Sequence, residues 1–129
     1  MPIPLMKELR TFSRLNDRIF ILCRFRKKKD VDIIKGFTND ISAGGLMFET
    51  DRLIPPKDVL NLEIYQPLSQ FTREIISIPI LAKVKWVTEM NIADKYEGSN
   101  KYRMGVEFIK IDDRERKVIA EYVQDKLST

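Results

Sequence analysis

Thr38-Asn39-Asp40-Ile41-Ser42-Ala43-Gly44-Gly45-Leu46-Met47-Phe48 is the stretch on which the chain turns: polar and glycine residues interrupt two runs that otherwise read as strands. Asp40 and Ser42 alternate, so in an extended chain their side chains leave the same face, two short polar groups side by side. Gly44 and Gly45 follow, and glycine lets a backbone take positive φ and bring its amides close to whatever those side chains hold. Taken alone, this is a hairpin with Asx-type turn chemistry. Its neighbours decide whether it is more than a turn.

Upstream, Ile19-Phe20-Ile21-Leu22-Cys23-Arg24-Phe25 is rich in β-branched and aromatic residues and reads as a first strand, ended by the hairpin tip Lys27-Lys28-Lys29-Asp30. Asp32 to Ile41 is the second strand and Gly45 to Glu49 the third. Leu53-Ile54-Pro55-Pro56-Lys57-Asp58 is a connection, because two prolines remove ladder donors. Val59 to Tyr65 resumes the alternation. Glu74 to Glu89 reads as a long or bent strand with Pro79 at an edge or bulge and Ile80, Ala82, Val84 and Trp86 on one face. On that pattern Trp86 is a core or barrel-plug aromatic rather than a platform for stacking a base. Met90 to Asn100 is a polar loop, and Tyr102 to Ile111 is the last strand, with Tyr102, Met104, Val106 and Phe108 alternating against charged residues.

Asp112 followed three residues later by Glu115 is an aspartate form of the capping box and predicts a closing helix. Val118, Ile119, Tyr122 and Val123 share one face of it, extended by Leu127, a stripe suited to packing on a sheet. Short antiparallel strands and one terminal helix, without βαβ alternation, predict a mainly β fold: a small antiparallel split β-barrel of about six strands with a C-terminal α-helix. Residues 1–18, with two prolines and no clean periodicity, are expected to form a flexible tail, and residues 19–129 the barrel and helix of a single domain.

The 129 residues are 43% hydrophobic and 33% charged, enough apolar content to bury a core without staples. There are 23 Lys plus Arg against 19 Asp plus Glu, a net charge of +4 that favours anionic partners without demanding a polyanion. Arg10, Arg14, Arg18, Arg24, Arg26 and Lys27 to Lys29 gather this positive charge in the first quarter of the chain. One cysteine allows no internal disulfide, and a chain without histidine lacks the commonest general base and zinc ligand. No metal, no cofactor and no enzyme activity are therefore expected, since Asp40 and Ser42 have no histidine or lysine base at recognisable spacing. No stretch has the apolar length of a signal peptide or membrane span, so the expectation is a cytoplasmic protein without membrane insertion. The basic run after the first strand would suit single-stranded nucleic acid, but such a surface needs interleaved aromatics and only Phe20 and Phe25 lie near it.

Arg10-Thr11-Phe12-Ser13-Arg14 places two guanidiniums upstream of the turn. Asp40-Ile41-Ser42-Ala43-Gly44-Gly45 resembles the D/N-x-S-x-x-G motif of PilZ domains, and Arg10 with Arg14 resembles their R-x-x-x-R motif. The resemblance runs from about Arg10 to the C-terminal helix. Arg14 and Arg18 satisfy the same spacing, but the Arg10/Arg14 register leaves a few residues before the strand near Ile19, as the family has it. Leu9 stands where many members carry another arginine, which points to one bound molecule rather than a stacked pair.

The resemblance implies a receptor for the bacterial second messenger cyclic di-GMP that signals to a downstream protein. Arg10, Arg14, Asp40, Ser42, Gly44 and Gly45 are its expected ligand-binding residues. Guanine O6 and N7 suit a planar Arg fork, its opposite edge offers N–H donors to a carboxylate such as Asp40, and a serine hydroxyl or glycine amide can reach phosphate. A PilZ-type interaction domain without ligand, and a small basic barrel for single strands, are the alternative readings.

Overall fold

Residues 13–27, 30–69, 71–90 and 101–128 are described by the structure, a computed structural model. Alternation of side chains organises the strands. On β1 (Phe20–Lys27) Ile21 and Cys23 are buried, on β4 (Val59–Pro67) Leu60, Leu62 and Ile64, and on β5 (Ile75–Met90) Ile78, Ile80, Ala82 and Val84. Residues two apart leave a strand on the same side, so each of these strands presents one apolar face. With β2 (Asp30–Ile41), β3 (Gly45–Thr50) and β6 (Lys101–Lys110) they close into an antiparallel barrel in the order β1-β2-β3-β6-β5-β4. Closure removes the unpaired edges that an open sheet of this size would expose. The expected six-stranded barrel with one C-terminal helix is what forms.

Pro79 pairs with Glu63 on β4 but lies outside the stretch of β5 that pairs with β6, which begins at Leu81. A residue with no N–H is tolerated where one side of the ladder is open. The connection from β3 to β4 carries the two prolines and buries Ile54 completely. It is tied to β5 by Lys57 N to Val84 O at 2.7 Å and Val84 N to Asp58 O at 2.9 Å.

Three register shifts interrupt the ladders, one opposite Leu81 and Ala82 where Ile109 is the extra residue in β6, and the other two shape the cavity described below. Thr38 pairs with Phe48 but Asp40 pairs with Met47, so Asn39 is an extra residue in β2. Val84 pairs with Val106 but Trp86 pairs with Gly105, so Lys85 is an extra residue in β5. A bulge of this kind re-aims the side chains that follow it. Thr38 faces the core, and the bulge then sends Ile41 inward and turns Asp40 outward. In the same way Val84 is buried while Trp86, read from the sequence as a core or plug aromatic, is 42% exposed. Strict alternation from Ile80 misplaces it because the strand gains a residue at Lys85.

Helix α1 (Asp113–Leu127) starts as expected: the Asp112 carboxylate accepts from Arg114 N at 2.9 Å and Glu115 N at 3.3 Å. This satisfies two of the helix's unpaired amides. Ile119, Tyr122 and Val123 join the barrel core, whereas Leu127, expected to extend the stripe, is exposed. No helix among the described residues is long and apolar enough to cross a membrane.

Candidate functional site

The turn between β2 and β3 is built by its own polar groups. Ser42 N donates to Gly45 O at 2.9 Å, the Ser42 hydroxyl donates to Gly45 O and accepts from Gly44 N, both at 3.2 Å, and Phe108 N donates to Gly44 O at 2.9 Å. The Ser42 hydroxyl is therefore a staple inside the turn, and the turn is anchored to β6. Gly45 is needed for closeness rather than for a positive φ: a Cβ there would collide with the Val106 carbonyl oxygen on β6. The tight approach of β3 to β6 leaves the turn standing as a firm wall.

Against that wall lies the segment before β1. Leu15 and Ile41 exchange two backbone hydrogen bonds of 2.9 Å, an isolated antiparallel bridge. This sets Arg14 beside Asp40, and Arg14 Nη1 donates to Asp40 Oδ1 at 2.8 Å. The guanidinium is 39% exposed and the carboxylate 14%. A half-exposed pair of this kind contributes about 0.2–1 kcal/mol, weak enough to be exchanged for a better partner. Arg18, the other arginine at the same spacing, turns away and stands over the Phe37 ring at 5.0 Å. Arg10 lies outside the described residues, as do residues 1–12 of the expected tail and residues 91–100 of the polar loop.

Arg14, Asp40, Ser42, Gly44 and Gly45 line one open cavity of about 960 Å³, near the upper end of the range for small-molecule sites. Five of the six residues expected from the sequence thus come together. The cavity also takes in Asn16, Lys85, Trp86, Gly105, Glu107 and Arg116, which sequence reasoning did not assign to it. Trp86 lies over Gly105, where a Cβ would run into the indole, so a flat aromatic face is held at the cavity wall. A glycine inside a strand signals the close approach of another group, and Gly105 was the available clue. Lys85 pairs with Glu107 at 3.5 Å across β5 and β6, flanking the indole. Arg116 comes from the end of the first turn of α1, a contribution that only the packing of the helix reveals.

Chemically, the cavity offers a guanidinium, a carboxylate, glycine backbone and an aromatic face, with Lys85 and Arg116 adding cationic groups. Such a set can recognise a ligand that carries phosphate and an aromatic base. No group of His, Cys, Asp and Glu suited to a metal ion occurs among the described residues.

The family model described as PilZ domain matches residues 8–125. No curated protein matches the sequence. Among solved structures, the Bacillus subtilis inhibitor of motility MotI/DgrA has a TM-score of 0.71 at 19% identity, covering 92% of this chain and 51% of its own. The PilZ domain of YcgR from Escherichia coli, solved with c-di-GMP, has a TM-score of 0.62 at 13% identity, covering 92% and 93%. The MrkH–c-di-GMP complex of K. pneumonia has a TM-score of 0.62 at 18% identity, covering 92% and 52%. The chain thus spans about half the length of MotI and MrkH, and at these identities the likeness is one of fold.

Proposed function

We propose that this chain, which belongs to the PilZ domain family, is a receptor for cyclic di-GMP that converts occupancy of its cavity into a changed surface for a protein partner. The observation that carries the reading is the meeting of Arg14 with the Asp40-to-Gly45 turn in a cavity of about 960 Å³. Relatives of this fold solved with c-di-GMP, the YcgR PilZ domain and MrkH, support it.

The geometry suggests how the ligand is held. Arg14 leaves Asp40 and takes a guanine O6/N7 edge or a phosphate, and the freed carboxylate accepts from the opposite guanine edge. Because one ligand replaces both halves of the ion pair, neither charge is left stranded in the cavity, where a lone buried charge is costly. The Trp86 face stacks a base, Arg116 adds positive charge, and Ser42 serves by holding the turn and its amides in place. Arg10, outside the described residues, is the second arginine of the proposed pair. Any residue that becomes ordered on binding costs about 1–2 kcal/mol of entropy, so affinity then falls below what the contacts alone imply.

Calorimetry with cyclic di-GMP, beside GTP and a short single-stranded oligonucleotide, tests the reading. Cyclic di-GMP alone should bind. Binding of the oligonucleotide alone would favour the nucleic-acid alternative, and binding of none the ligand-free interaction domain. Amide exchange tests the signal itself: with ligand, residues 7–18 should become more protected. Unchanged exchange there alongside confirmed binding would place the switch elsewhere.

A further inference from the structure

The segment that carries Arg14 is gripped from two sides, and one grip belongs to the helix. Leu15 is bonded to Ile41, as described above. Two residues on, the Asp17 carbonyl accepts from the fully buried Thr38 hydroxyl at 2.6 Å, and that hydroxyl accepts from Ile19 N at 2.9 Å. The Asp17 carboxylate serves a different element: one oxygen accepts from Arg18 N at 2.9 Å, the other from the Tyr122 phenol at 2.8 Å. Tyr122 is 3% exposed, a core residue of α1. Its ring would pack equally well as phenylalanine, so what the hydroxyl adds is the bond to Asp17. This places a fixed point of the arginine segment on the helix, three residues from Arg14.

We infer that Asp17 and Tyr122 are positioning residues for the ligand site, tying the arginine segment to α1 so that helix docking and cavity occupancy depend on each other. The inference rests on the reading of the cavity as a cyclic di-GMP site. A ligand that draws Arg14 away from Asp40 acts on a segment pinned at Leu15 and at Asp17, and the second pin leads into the helix. Arg116, on the same helix, lines the same cavity, so the ligand meets α1 both directly and through the segment. Coupling of this kind is reciprocal: the factor by which a docked helix strengthens ligand binding is the factor by which ligand strengthens helix docking.

The test uses the full chain as wild type, Tyr122→Phe, Asp17→Ala and Asp17→Asn, with calorimetry against cyclic di-GMP and amide exchange of residues 13–19 and 119–127 with and without it. Tyr122→Phe and Asp17→Ala should fold but bind about five- to tenfold more weakly, within the range of ordinary coupling. Ligand should slow exchange in α1 of the wild type, and that slowing should vanish in both variants. Asp17→Asn keeps one acceptor oxygen, and with that oxygen turned to the phenol, at the expense of the Arg18 N bond, it should restore both behaviours. If Tyr122→Phe melts earlier yet binds like wild type, or α1 ignores bound ligand, the bond only supports the fold and the inference fails. If wild type binds no cyclic di-GMP, the reading of the cavity fails instead. Exchange at Leu15 then decides the tie by itself: faster in Tyr122→Phe upholds it, unchanged overturns it.

Discussion

Arg14 and Asp40 satisfy each other at 2.8 Å, and on the proposed reading each exchanges that partner for the ligand. Arg14→Ala should abolish or severely weaken binding, because a charge-assisted bidentate contact is worth about 1.5–3 kcal/mol. The fold should survive, since only a weak ion pair is lost, and circular dichroism with calorimetry separates the two outcomes. Asp40→Ala should act on specificity: discrimination between cyclic di-GMP and an adenine-containing cyclic dinucleotide should shrink, as the groups that read guanine N–H donors are gone. Equal loss for both ligands would show that Asp40 serves only the turn. Trp86, the chain's one tryptophan, reports on the same cavity, and its fluorescence should change as cyclic di-GMP is titrated in. A signal that stays flat while calorimetry records binding would place the base away from the indole.

At the scale of elements, the bulges at Asn39 and Lys85 place the site. Each adds one residue to one strand of a pair, and the residues after it exchange inside for outside. Asp40 and Trp86 reach the cavity by this exchange, from β2 and β5. The helix is set by its start: Asp112 holds two amides of the first turn, so Asp112→Ala should cost about 0.5–2 kcal/mol, read as a lower midpoint in urea. A midpoint equal to wild type would mean that water satisfies those amides equally well.

At the scale of the whole molecule, Cys23 is one of the residues that the closed barrel buries completely. Burial pushes its thiol up to about 12, while in the unfolded chain it ionises at its ordinary value of about 8.5. A folded value raised in this way means a stability contribution fully present below the unfolded value and lost as pH rises from there toward 12. Burial also raises the Tyr122 phenol, helped by its bond to Asp17, and adds to the loss at still higher pH. Stability should therefore decline on the alkaline side, and urea titrations at pH 8 and pH 10.5 measure the difference. A Cys23→Ser variant that declines just as steeply over that interval would assign the loss to other groups.

What the sequence by itself determined was the set of strands, the capped helix and the turn with its arginine. These are local signals: alternation, two prolines, an aspartate before a helix and a polar-glycine run are each complete within a few residues. Five of the six expected ligand residues line one cavity, because the bridge between Leu15 and Ile41 brings the segment before β1 against the turn. Only the tertiary structure decided which way Asp40 and Trp86 face, and that Arg116 and Tyr122 of the helix reach the arginine segment and its cavity. A bulge is a mismatch in count between two paired strands, and neither strand alone contains it. The side of a helix that meets a distant segment is likewise fixed by how the helix docks, which is a property of the closed barrel and not of the helix's own residues.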